Sequence, residues 1–257
     1  MLLGLIGAIF IGLSLGLMGS GGSILTVPVL VYLFGQDEKV AIAGSLAIVG
    51  TIALAGGLTY LKAKLIDWKT VFLFGIPGMV GTYLGAWIAA YIPGIVQLVL
   101  FSFVMIAAAI MMLRKQNLSN DSHERHLIKI VFDGLIVGVI TGIVGVGGGF
   151  LIVPALVLLG GLNMRNAVAT SLIIISLKSY SGFYKYLDVL NQQSLNLDWK
   201  VLGMVTGIGI IGTFVGNYLC NIIPQNKLKI YFAYFLMVMA AFILYKELPN
   251  ALKLMTI

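Results

Sequence analysis

The sequence predicts an all-α integral membrane protein built from two homologous halves. Three observations carry that prediction. Apolar residues fill 60% of the 257 positions and charged residues only 10%, whereas soluble domains carry roughly 25% charged residues. The apolar residues gather into ten runs separated by short polar turns. The second half of the chain then repeats the first. With a mean hydropathy of +1.06, too little polar surface remains to coat a soluble body of this size.

The runs cover 2–18, 24–34, 40–61, 70–91, 95–113, 130–144, 150–160, 167–187, 201–222 and 229–246. Crossing a hydrocarbon core of ~30 Å takes about 20 helical residues at ~1.5 Å each. Most runs meet that length, but 24–34 and 150–160 reach only about half way. They are read as glycine-interrupted half-helices, which gives eight to ten membrane segments. Met1-Leu2-Leu3-Gly4 brings no basic region and no small-residue cleavage site, so the first run reads as a retained segment.

The repeat is explicit. Gly16, Gly19, Gly21, Gly22, Leu25, Val27, Pro28 and Gly35 recur, at a constant offset of 126, as Gly142, Gly145, Gly147, Gly148, Leu151, Val153, Pro154 and Gly161. The register continues through Ala41, Ala43, Ser45, Leu46, Gly56 and Tyr60, matched by Ala167, Ala169, Ser171, Leu172, Gly182 and Tyr186. After a five-residue insertion, Asp67-Trp68-Lys69 matches Asp198-Trp199-Lys200. These registers define an internal duplication, with repeats at 1–113 and 130–257 and a polar linker at 114–129.

The linker carries Arg114, Lys115, Arg125 and Lys129, which place it in the cytoplasm by the positive-inside rule. The loop with Lys62, Lys64 and Lys69 lies two spans earlier and falls on the same side. The second half admits two arrangements. Five crossings per half make the repeats inverted and put Arg165, Lys227 and Lys229 inside. Four crossings, with the short runs re-entrant, make them parallel and put Lys178, Lys185, Lys200, Lys246 and Lys253 inside. Inverted repeats fit a mid-membrane site served from both sides. The net charge of +7 is scattered over short loops, as expected of loops facing anionic lipid heads rather than nucleic acid.

Two glycine clusters, Gly19-Ser20-Gly21-Gly22-Ser23 and Gly145-Val146-Gly147-Gly148-Gly149, precede the half-length runs. Backbone that leaves the helix inside a bilayer must be buried in protein or line a wet cavity. Such a break frees N–H groups at the start of the following half-helix, where the dipole favours an anion. Gly21, Gly22, Ser23, Gly147, Gly148 and Gly149 are therefore candidate substrate-binding residues; close helix packing is the plainer explanation for any single glycine.

Lys178 is a cation inside an apolar run, and its repeat counterpart is Ile52. It either meets an anionic substrate or snorkels to an interface. Ser45, Thr170 and Ser171 follow the short runs and offer hydroxyls to an oxyanion, or bond neighbouring backbone instead; Thr51 and Ser176 share that choice. Asp133 reads as an i,i+4 partner of Lys129, with proton coupling as the sharper alternative. Trp68 and Trp199 read as interfacial anchors. His123-Glu124-Arg125-His126 lacks the spacing of a zinc helix, and the single Cys220 supports neither a disulfide nor a thiolate cage. No metal site, cofactor motif or catalytic set stands in the membrane runs, which argues against an enzyme or an ATP-driven pump.

Gly142-Ile-Val-Gly145-Val-Gly147-Gly148-Gly149-Phe-Leu-Ile-Val-Pro154, followed by Ala169-Thr170-Ser171-Leu172, resembles the signature of the TauE/SafE sulfite exporter family, also called the 4-toluene sulfonate uptake permeases. The first-half counterpart, Gly16 to Pro28 and Ala43-Gly44-Ser45-Leu46, matches in weaker form. The resemblance implies transport of a small sulfur-containing or organic anion across a prokaryotic plasma membrane. The expected function is secondary transport by alternating access at a site between the repeats, one half rocking against the other, driven by a proton or sodium gradient. A passive anion channel and a non-transporting accessory or scaffold protein are the alternatives. The sequence sets neither the direction of transport nor the oligomeric state.

Overall fold

The computed structural model describes residues 2–19, 21–113, 127–145, 149–159, 161–220 and 224–255. Every regular element among them is helical. In chain order these are α1 (Leu2–Met18), α2 (Gly22–Leu33), α3 (Glu38–Leu61), α4 (Trp68–Ala89), α5 (Gly94–Leu113), α6 (Leu127–Val144), α7 (Gly149–Pro154, continuing over Ala155–Leu159), α8 (Met164–Gln192), α9 (Trp199–Cys220) and α10 (Gln225–Met255). Among the described residues, α3, α4, α5 and the Trp199–Leu219 stretch of α9 are long and apolar enough to cross a membrane, and α1 and α2 are shorter apolar helices. The linker's polar residues 114–126, with His123 and His126, lie outside the described residues.

Polar residues at the turns start the helices. Asp37 accepts from Lys39 N, Asp67 from Lys69 N and Thr70 N, Asn163 from Asn166 N, and Asp198 from Lys200 N and Val201 N. Each carboxylate or amide oxygen satisfies N–H groups that a helix start leaves unpaired. The repeated Asp-Trp-Lys is thus a cap followed by a first-turn tryptophan. Trp68 and Trp199 are both exposed on the apolar exterior, as membrane-interface anchors would be.

Both short runs, α2 and α7, unwind from α-geometry into a wider π-type turn directly after Pro28 and Pro154. Proline has no N–H to offer the ladder, so a helix shifts its pairing there. α1 and α2 form a hairpin: a methyl group on Gly4 would meet Phe34, on Gly7 would meet Val29 and Leu33, and on Gly22 would meet Ile11 O and Leu15. The hairpin therefore begins and ends at the same face of the bundle.

The two long helices that follow the short runs show their relative direction by their contacts. Gly50 faces Ser179, Gly57 faces Ile173, and Gly182 faces Leu46. Numbers rise along α3 as they fall along α8, so these two helices, which hold equivalent places in the chain, run antiparallel. The four-crossing count fails because it treats α1 as a full span paired with one re-entrant run, whereas α1 and α2 turn back together.

Packing also crosses the halves. Gly12 and Gly16 of α1 press on Gly209, Thr213 and Gly216 of α9, while Gly81 and Gly85 of α4 press on Leu135, Gly138, Val139 and Gly142 of α6. Without a hydrophobic driving force in lipid, helices associate where small residues let backbones approach. α5 packs on α10. One apolar core joins Ile11 and Ile52 to Leu172 and Val205, and the second joins Ile24 and Leu46 to Phe101 and Tyr186. Each core draws from both sides of the linker.

Candidate functional site

The first and second glycine clusters open with residues in the left-handed region, Gly19 at φ +67° and Gly145 at φ +72°. An L side chain pays a steric penalty there, so glycine ends α1 and α6 at these points. Each break is held from the opposite half. Ser171 Oγ lies 3.2 Å from Gly19 O and 2.8 Å from Val168 O, and Ser45 Oγ lies 2.8 Å from both Gly145 O and Ile42 O. Each hydroxyl shares its single proton between its own helix and a carbonyl at the facing break. The two contacts are reciprocal: Ser45 and Ser171 are 126 apart, and so are Gly19 and Gly145.

Among the other sequence-predicted residues, Gly21, Gly22, Ser23 and Gly149 are buried at the starts of α2 and α7, and α2 touches α7. Gly147 and Gly148 lie outside the described residues. Thr170 accepts a 3.0 Å bond from Asp67 N, tying α8 to the start of α4. Thr51 donates to Ala47 O and pairs with the Tyr180 hydroxyl at 2.9 Å. Asp133 is half-buried, next to Gly134, which packs on Phe74. The structure therefore brings Ser45 and Ser171 to the breaks, and turns Thr170 to a capping contact instead.

Lys178 stands apart from all of these. It is the central residue of the 29-residue α8, about 21 Å from either helix end at ~1.5 Å per residue, too deep for a lysine stem to snorkel out. Its side chain is 0% exposed. Nζ has no hydrogen-bond partner among the described residues. It sits 5.8 Å from the centroid of the Phe74 ring. A Cβ on Gly78 would stand 3.0 Å from Lys178 Cδ and 3.2 Å from Cε, so α4 leaves room for the stem by having glycine there. Adjacent Ser179 is also 0% exposed; its Cβ faces Gly50 of α3, and its Oγ has no partner among the described residues.

Ser179, Phe74 and Gly78 were not visible as site residues in the sequence, where only the neighbouring lysine drew attention to this stretch. Two further polar sites also escaped it. Lys39 Nζ donates to Ala89 O and Ile92 O, a cation on the carbonyl end of α4. At the far end of α2, the Tyr32 hydroxyl donates to Glu247 at 2.8 Å, Lys246 lies 4.2 Å from the Tyr32 ring centroid, and Phe242 meets that ring edge-on. Glu247 is only 7% exposed, although it lies just past the last apolar run of the sequence.

The described helices form a multi-pass apolar bundle, broken at Gly19 and Gly145, around a buried lysine. The comparisons agree, and the chain belongs to the TauE/SafE sulfite exporter family, whose sequence model matches residues 4–243. It is 30% identical over 225 residues to a "Probable membrane transporter protein" of Xylella fastidiosa strain 9a5c, covering 84% of each chain. It is likewise 30% identical over 190 residues to the "Probable membrane transporter protein MJ0441" of Methanocaldococcus jannaschii, covering 70% of this chain and 71% of that one. No solved structure gives a significant match.

Proposed function

We propose that the protein is a secondary carrier for a small anion, a sulfite-like or organosulfonate species, which binds on Lys178 at the crossing of α8 with α3 and α4. One observation carries this reading: a fully buried ammonium with no partner among the described residues. An isolated interior charge costs several kcal/mol or more, and the usual remedy is an opposite charge with hydrogen bonds. The protons of Ser45 and Ser171 are already engaged at the glycine breaks, so these serines hold the breaks in shape and leave the anion to Lys178. The cluster at Gly21–Ser23 then acts as a deformable point between α1 and α2.

The matched breaks, the reciprocal serine contacts and the antiparallel α3–α8 pair support an internal duplication, with halves at 1–113 and 130–257. Inverted halves give two equivalent conformations related by exchange of their roles, which is what alternating access needs. The moving bodies are not the sequence halves themselves, as the rocking expected from sequence would have it. α1 is packed backbone to backbone on α9, and α6 on α4, so rigid rocking of one half would tear both contacts apart. Complete burial of Lys178 supports a carrier over an open pore.

The test is flux into proteoliposomes containing the purified full chain, using sulfite, methanesulfonate, sulfate and acetate. Saturable uptake of at least one sulfur oxyanion above protein-free vesicles is expected. Uptake that stays linear in concentration points to a channel. Background flux for every anion, from protein that elutes as a folded species, overturns the reading.

A further inference from the structure

We infer that Gln97 is a positioning residue that clamps the bundle shut on the face of the Pro93 turn, so that the carrier opens less readily to that face than to the other. The inference rests on the alternating-access reading above. It adds which of the two gates is the tighter one and names the side chain that makes it so.

Two helices end toward this face with carbonyls that their own last turns leave unpaired. α4 ends at Ala89, and α6 ends at the Gly145 break. Gln97, one turn into α5, is 0% exposed and reaches both ends. Its Nε2 lies 2.8 Å from Ile143 O, 3.1 Å from the Tyr186 hydroxyl and 3.4 Å from Ala89 O. An amide nitrogen has two protons for these three acceptors, and the 2.8 Å contact is the best formed. Around it, the Tyr186 hydroxyl of α8 lies 3.4 Å from Gly142 O, and Ser45 Oγ of α3 lies 2.8 Å from Gly145 O. Lys39 Nζ, also from α3, donates to Ala89 O and Ile92 O. α4 and α6 are already packed backbone to backbone, so they move as a pair. The clamp fastens that pair to α3, α5 and α8, with Tyr186 ~12 Å along α8 from Lys178. Opening this face separates the pair from those three helices and breaks these bonds.

On the proposed duplication, the other repeat builds the opposite face, and the sequence register shows where the two differ. At the offset of 126, Ser45 corresponds to Ser171, Tyr186 to Tyr60 and Lys39 to Arg165, so each place keeps a donor. At the offset of 131, which brings Pro93 onto Pro224, Gln97 corresponds to Leu228. Leucine has no proton to donate, so the α1–α9 pair has an apolar residue where the α4–α6 pair has a bridging amide. The fold alone gives no reason for that amide. Its Oε1 is buried with no hydrogen-bond partner among the described residues, and an orphaned acceptor costs stability. What Gln97 contributes is the bond from its nitrogen to the end of α6.

The experiment reads the two gates separately. Leu46 on α3 and Leu172 on α8 hold equivalent places and are both 0% exposed, Leu46 toward the Pro93 face and Leu172 toward the other. Each is changed to cysteine in the full chain carrying Cys220→Ala, and reconstituted with a water-soluble methanethiosulfonate reagent on both sides of the membrane. Each modification rate is scaled to that of the same cysteine in unfolded protein. With Gln97 in place, Leu172→Cys is expected to react faster than Leu46→Cys. Gln97→Leu is expected to speed Leu46→Cys about tenfold, the worth of one buried hydrogen bond, and to leave Leu172→Cys within about twofold. Acceleration of both cysteines shows a generally loosened fold and overturns the positioning role, as does an unchanged rate at Leu46→Cys. Equal rates at the two positions with Gln97 in place overturn the asymmetry. If Gln97→Leu does not fold, that last comparison still decides. No reaction at either position in any background, from folded protein, overturns alternating opening and the carrier reading with it.

Discussion

Replacing Gly145 by alanine separates two costs that the structure assigns to one atom. The residue sits at φ +72°, and an added Cβ would overlap Ile42 Cγ2 on α3. The left-handed backbone costs a non-glycine residue roughly 1–2 kcal/mol. Forcing a methyl into a packed, branched neighbour costs about 1–3 kcal/mol more. Gly35 provides the internal control, because it has nearly the same backbone, φ +66°, with nothing within 4 Å of its Cβ position. Gly35→Ala should therefore lose only the backbone part, and Gly145→Ala about 2–5 kcal/mol in all. Equilibrium unfolding in mixed micelles, with all variants in one detergent, measures the difference. Ile42→Ala removes the colliding carbon, so a double-mutant cycle between positions 42 and 145 should return a favourable coupling of about 1–3 kcal/mol. Equal loss in Gly145→Ala and Gly35→Ala, or a cycle that closes additively, would refute the claim that α6 is broken against α3 at this point.

Other outcomes follow from the same contacts. Lys178→Met should keep or raise thermal stability, because it removes a buried charge without a partner, while saturable flux disappears; a strongly destabilised variant would show that the lysine serves the fold. Ser45→Ala and Ser171→Ala should cost about 1 kcal/mol each, and by similar amounts, since their contacts are reciprocal; a tenfold disparity in unfolding constants would break that equivalence. Tyr32→Phe strips a buried carboxylate of its donor and should cost about 1–3 kcal/mol, with Glu247→Gln in the same background recovering part of it. Sidedness can be read by cysteine labelling in a Cys220→Ala background. On the proposed inverted arrangement the face of the 62–67 turn carries most of the Lys/Arg residues, and the positive-inside rule predicts that this face is cytoplasmic. Tyr91→Cys should react with an impermeant maleimide in intact cells, and Lys64→Cys only after permeabilisation.

Much of the architecture was legible in the sequence because membrane physics constrains it so tightly. A bilayer admits only long apolar runs, so the segments could be counted, and the half-length pair stood out against that measure. Repeated Asp-Trp-Lys showed the second register of the repeat, while its role as a helix start is seen only in the caps at Asp67 and Asp198. Parity was not legible, because run lengths do not say whether a short run returns beside the segment before it, as α2 does beside α1. The exchange of packing partners between the halves was hidden for a related reason: the glycines of α1 announce a close approach but not to which helix. Lys178 was visible as an oddity, yet its burial depended on α8 extending 14 residues to either side of it. Ser45 and Ser171 stood out as hydroxyls on the segments after the short runs, but whether their protons point at a ligand or at a carbonyl is set by tertiary contact. Glu247 was overlooked because its partner, Tyr32, is 215 residues away.

The central claim is that Lys178 carries the anion. Concentration-dependent uptake of labelled methanesulfonate and sulfite by the unmodified protein and by Lys178→Met, reconstituted at matched density and shown to be folded, tests it most directly. The account predicts saturable uptake in the former and protein-free background in the latter. Wild-type maximal rate and half-saturation in the methionine variant would contradict it.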